Sequence, residues 1–120
     1  MLSSYDTDFL TAHLVDETTF APFPKASDRD AWNAMLANPL NREKRTLLIG
    51  RAEELLDSPW PILSAVRYMD FMRNGNRSRY EEGFFERRNR LGIFVLAECL
   101  EYRGRFLDEI INGVWAICEE

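Results

Sequence analysis

The sequence predicts an all-α fold of about five helices, and three observations carry that prediction. Apolar residues recur at helical spacing in several stretches, among them Leu48, Ala52, Leu55 and Leu56, and again Leu63, Val66, Met69 and Met72. Helix punctuation separates these stretches: Ser27 with Asp30, Asn38-Pro39, Pro59-Trp60-Pro61 and Asn74-Gly75-Asn76. The segment Leu91–Leu100 is apolar on almost every side and is expected to be a helix buried all round.

Residues 1–26 read as an irregular lead-in. Phe20-Ala21-Pro22-Phe23-Pro24 is extended, because each proline biases its predecessor away from helix. A short helical turn is open to Asp8–Val15. The helical domain then covers 27–120. Ser27 with Asp30 forms a capping box for a helix to about Ala37, and Asn38-Pro39 breaks it. Asn41 caps a second helix, Arg42–Leu56. Pro61 sits in the first turn of a third, which runs from Ile62 to about Arg73. A polar, Arg-rich loop follows the Asn74-Gly75-Asn76 turn, to about Gly83. The fourth helix spans about Phe84 to Tyr102 and is closed by Gly104. Asp108 leads the last, with Ile110, Ile111, Val114, Trp115, Ile117 and Cys118 apolar.

Composition narrows the function classes. With 120 residues, 46% hydrophobic and 29% charged, one globular domain is the expectation. No apolar run reaches the roughly 18 residues of a membrane helix, so no membrane partner is expected. The start has neither a basic n-region nor an apolar h-region, so as written the chain reads as cytoplasmic. One histidine, His13, excludes a site needing two imidazoles. As a candidate general base it lies in the lead-in, away from the other candidates. Cys99 and Cys118 have no second pair to make a metal site and are expected as buried free thiols. No cofactor, no metal and no catalytic residue is assigned.

Charge is uneven. The net value is −4 over residues 1–30, zero over 31–66, +3 over 67–90 and −4 over 91–120. Thirteen of the fifteen basic residues are arginines, whose planar fork grips carboxylate or phosphate with two parallel bonds. The basic stretch is therefore where an anion would be met, if one is met anywhere. Arg77, Arg87 and Arg88, with Tyr80 as a platform, are the candidate acidic-sugar contacts. The competing reading pairs Arg77, Arg87 and Arg88 with Glu81, Glu82 and Glu86 as surface ion pairs that fix the loop. Net acidity and the lack of a recognition motif exclude nucleic acid. Trp32 and Trp115 fall in core registers. Trp60, on its proline-flanked loop, is the tryptophan best placed for a ligand. Tyr68, beside an apolar face, reads as packing.

The second half carries a resemblance. Ser58-Pro59-Trp60-Pro61, Tyr68-Met69-Asp70-Phe71, Asn74–Glu81, Arg87-Arg88-Asn89-Arg90-Leu91, Ala97–Glu101 and Gly104–Glu120, in that order, resemble the N-terminal region of heparinase II/III-like proteins over residues 45–120. The resemblance implies helical hairpins forming part of an (α/α) toroid. It implies a relation to polysaccharide lyases that cleave uronate-containing chains by β-elimination, often outside the cytoplasm. The family's catalytic Asn, His and Tyr lie beyond the resembling segment, so none is carried over. The expectation is a domain incomplete relative to the family: a scaffold with weak acidic-polysaccharide contact and no turnover alone. Two alternatives stand beside it. One is a helical interaction module that forms homo-oligomers through exposed apolar faces. The other is a working lyase whose missing regions are supplied from elsewhere. The last helix has no closing Gly, Asn or Pro, and Glu119-Glu120 oppose its dipole, which adds to the expectation of a longer array or an oligomer.

Overall fold

The computed structural model describes residues 6–16 and 19–120, and among these every regular element is a helix. There are six: α1 (Thr7–His13), α2 (Arg29–Met35), α3 (Pro39–Leu55), α4 (Ala65–Asn74), α5 (Ser78–Glu101) and α6 (Leu107–Cys118).

Each boundary has a local cause, and several differ from the sequence reading. α1 occupies part of the expected lead-in, where the Asp6 carboxylate accepts from the Phe9 N–H at 2.7 Å. α2 is capped by Asp28, not Ser27: the Asp28 side chain accepts from Ala31 N–H. Asn38-Pro39 starts α3 as well as ending α2. Asn38 Oδ1 accepts from Leu40 N–H at 2.9 Å, and Pro39, which has no N–H to orphan, takes the first turn. Asn41, expected as the cap, instead donates from Nδ2 to the Met35 carbonyl at 2.8 Å. Residues 59–64 stay outside helix, and Ser64 caps α4. Gly75, in the left-handed region at φ 74°, closes α4 as the turn signal required. The Arg-rich stretch after it is not a loop: α5 begins at Ser78, so Arg79, Tyr80 and Glu81 lie in its first turn. At its far end Tyr102 itself adopts the left-handed conformation, φ 56°.

Three helices make the core. Phe94 and Ala97 of α5, Ala52 and Leu55 of α3, and Phe106 before α6 are buried together, with Ile49, Leu56, Ile93 and Ile110 around them. The Phe94 and Phe106 rings lie 6.0 Å apart and Trp60 tilts against Phe94 at 6.2 Å. Glu98, buried on α5, accepts from the Gly104 and Phe106 N–H groups at 2.6 and 3.2 Å, which fixes the corner into α6.

The array is open. Its extents are 50 × 48 × 25 Å and its radius of gyration is 19.3 Å, against the ~14 Å expected of a compact domain of this length. Its accessible surface is 9290 Å², whereas a globular monomer of this mass exposes roughly 6,700 Å². α5 is accordingly not buried all round: Val95 and Leu96 are exposed, because α3 and α6 cover only part of its circumference. No helix is long and apolar enough to cross a membrane among the described residues.

Candidate functional site

The α4–α5 hairpin forms an open pocket of about 300 Å³ lined by Tyr68, Phe71, Tyr80, Phe84 and Phe85, with Arg77 and Glu81 at its edge. Helical spacing builds it. Tyr80 and Phe84 are one turn apart on α5 and stack with ring centroids 6.2 Å apart, and Tyr68 of α4 meets the edge of Tyr80 at 5.3 Å. The hairpin is held by Arg79, which bridges to the buried carboxylate of Asp70 at 2.8 Å.

The five sugar-contact candidates divide into two groups. Arg77 and Tyr80 lie in this pocket. Arg77 is also gripped by Glu81, through Nε at 2.9 Å and Nη2 at 2.5 Å. Arg88 stacks 3.4 Å above the Phe84 ring, beside the pocket, and binds both carboxylate oxygens of Glu120 at 3.2 and 2.6 Å. Arg87 and Trp60 turn inward. Arg87 is buried and donates to the Pro61 carbonyl at 2.8 Å and to the Ala116 carbonyl, which ties the 59–64 segment to α6. Trp60 donates from Nε1 to Glu109 at 2.8 Å, half-buried against the core.

Ion pairing therefore follows the sequence expectation for Arg77 but not for its neighbours. Glu86 pairs with Arg90, and the partner of Arg88 is Glu120, 32 residues on. The Arg88 hydrogen bond, aided by the nearby Arg87 charge, holds the Glu120 carboxyl below its ordinary 4.5. A second open pocket of about 270 Å³ adjoins the first, between Leu63–Ala65, Tyr68, Tyr80 and the Glu119–Glu120 end.

Other expectations are corrected. Trp115 is not core: it is 67% exposed and its Nε1 donates to Glu119 at 2.7 Å. Of the apolar residues that sequence periodicity assigns to the interior of α6, Ile111, Val114 and Trp115 look outward while Ile110 and Ile117 are half-buried. Cys118 is exposed too, while Cys99 is half-buried, and burial raises its thiol pKa. Both thiols are free. Tyr68 is exposed in the pocket rather than packed in the core. His13 stacks on Phe9 at 4.1 Å, and its Nδ1 lies 2.8 Å from the Phe9 carbonyl. Among the described residues, no cluster of His, Cys, Asp or Glu is arranged to hold a metal.

Sequence reasoning missed Phe71, Phe84 and Phe85 as pocket walls. The signal was present as aromatics at 68, 71, 80, 84 and 85 within the one basic stretch. It is hidden while residues 76–83 are read as loop, since only a helix places Tyr80 beneath Phe84.

The site and fold define an open all-α array with an arginine-edged aromatic pocket. No family model matches the sequence, and no curated protein matches it either.

Proposed function

We propose that this chain is a helical scaffold, one segment of an (α/α) toroid of the heparinase II/III-like kind. Its bare apolar faces are completed by further protein. Its aromatic pocket contributes an acidic-sugar contact without turnover of its own. The observation that carries this reading is the open array itself: α4 and α6 leave Val66, Met72, Ile111 and Trp115 mostly exposed. Isolated exposed apolar residues are ordinary, but contiguous helical stripes mark surfaces that other protein covers. The sugar contact is supported by the stacking platforms of Tyr68, Tyr80 and Phe84 beside the Arg77 and Arg88 forks, which a uronate carboxylate would take over from Glu81 and Glu120. β-elimination needs a base and an acid held together, and neither tyrosine of the pocket faces a histidine or lysine.

The test is a hydrophobic dye added to dilute protein. Bright dye fluorescence on a cooperatively folding chain is expected. A cooperatively folding chain that leaves the dye dark overturns the scaffold reading. The sugar contact is tested by calorimetry with a uronate oligosaccharide, where binding weakened by Arg88→Ala and Tyr80→Ala is expected. Binding unchanged in both variants removes that contact. Ultraviolet absorbance of an unsaturated uronate product, if it appeared, would overturn the absence of turnover.

A further inference from the structure

The bare stripes of α4 and α6 are opposite in charge as well as alike in being apolar. On α6, Leu107, Ile111, Val114 and Trp115 are all exposed and recur every three or four residues, so they form one stripe. The helix contains no basic residue. Asp108, one turn from Ile111, makes no ion pair among the described residues, and Glu119 follows Trp115 by one turn. On α4, Val66, Met69 and Met72 present the other exposed apolar face. Arg73 stands beside Val66 and Met69 on this face and is not paired with a carboxylate among the described residues; it only reaches the Met69 sulfur at 3.8 Å.

From this complementarity we infer that a second copy of the chain covers these faces, the acidic-edged α6 stripe of each copy lying on the arginine-edged α4 stripe of the other. The inference rests on the scaffold reading and names the occupant. Pairing α6 with α6 would set acid against acid, whereas α4 against α6 joins unlike charges twice around a two-fold axis. The area agrees. The chain exposes roughly 2,600 Å² more than a globular monomer of its mass, shared between these faces and the lead-in around Leu14, Val15, Phe20 and Phe23, and a dimer of ordinary size buries only about 800 Å² per chain.

The experiment is sedimentation equilibrium of the full chain over a wide concentration range. A monomer of 14.1 kDa passing to a species of twice that mass is expected, with dye fluorescence per chain falling as it forms. Asp108→Arg and Arg73→Asp should each weaken association about tenfold, and the two together should restore it. Both positions are exposed, and an unchanged helical circular dichroism signal confirms that the variants fold. Ile111→Glu, on the stripe itself, should give monomer and offers a second reading should either charge variant misfold. A monomer at every concentration that still brightens the dye overturns the pairing and leaves the scaffold standing. Open-ended growth, or failure of the double variant to restore association, overturns it too. So does binding of a monomer to phosphatidylcholine vesicles, which would make lipid the occupant.

Discussion

The Trp60 ring lies directly over Gly113: a methyl group on that glycine would meet Trp60 Cη2 at 2.6 Å and Cζ2 at 3.1 Å. The close approach is what lets the 59–64 segment lie against α6, with the indole N–H held by Glu109 four residues before the glycine.

Gly113→Ala is therefore expected to be costly, although alanine favours helix. The overlap is with a bulky ring pinned at Nε1 and backed by Phe94, so it has little room to yield. A loss of about 1–3 kcal/mol in urea unfolding is expected, with a shift in tryptophan emission. Unchanged stability would show that the indole swings away freely.

Gly92→Ala should do the opposite. Gly92 also lies inside a helix, but nothing stands within 4 Å of the added methyl. The alanine lowers the backbone entropy lost on folding, and a gain of about 0.5–1 kcal/mol is expected in the same assay. A destabilised Gly92→Ala would reveal a neighbour on the exposed face of α5.

Arg87→Met should destabilise by about 2–4 kcal/mol, because it leaves the Pro61 and Ala116 carbonyls without their charged donor. Arg87→Lys should recover little, since an ammonium lacks the fork that reaches both. Recovery of full stability by lysine would assign the effect to charge alone.

The Glu120 clamp predicts an acid dependence. Its carboxyl titrates below 4.5 in the folded chain, so its contribution is present above that ordinary value and is lost as pH falls through the depressed one. Carboxyl NMR should show the Glu120 side chain titrating below 4.5, and Arg88→Gln should move it back upward. A Glu120 curve indifferent to Arg88→Gln would place the two groups apart in solution.

Helical class was readable because each helix of the core writes its period in apolar residues and its ends in Asn, Pro, Ser and Gly. The start of α3 is hidden because a residue that breaks one helix can open the next, and Asn38-Pro39 does both, while α5 starts after Arg77 with no side-chain cap to mark it. Inside and outside were less legible. Periodicity shows that α6 has an apolar stripe, but Trp115 and Cys118 lie on the bare side while Gly113 and Ala116, the small residues, face the neighbours. Of the candidate contacts, Tyr80 and Arg77 were legible from residue type. Arg87 was not, because its partners are two backbone carbonyls distant in sequence, which leave no trace in side-chain pattern.

Arg29 reaches from the start of α2 to the last turn of α5. It donates to the Cys99 carbonyl at 2.6 Å and towards that of Leu100 at 3.4 Å, with its guanidinium 4.9 Å from the Tyr102 ring. A positive fork thus caps the negative end of the longest helix from 70 residues away. The start of α2 is for that reason tied to the end of α5. Trimming the chain to a minimal helical core would fray the end of α5 next to the Glu98 corner, and faster amide exchange there would record the missing segment.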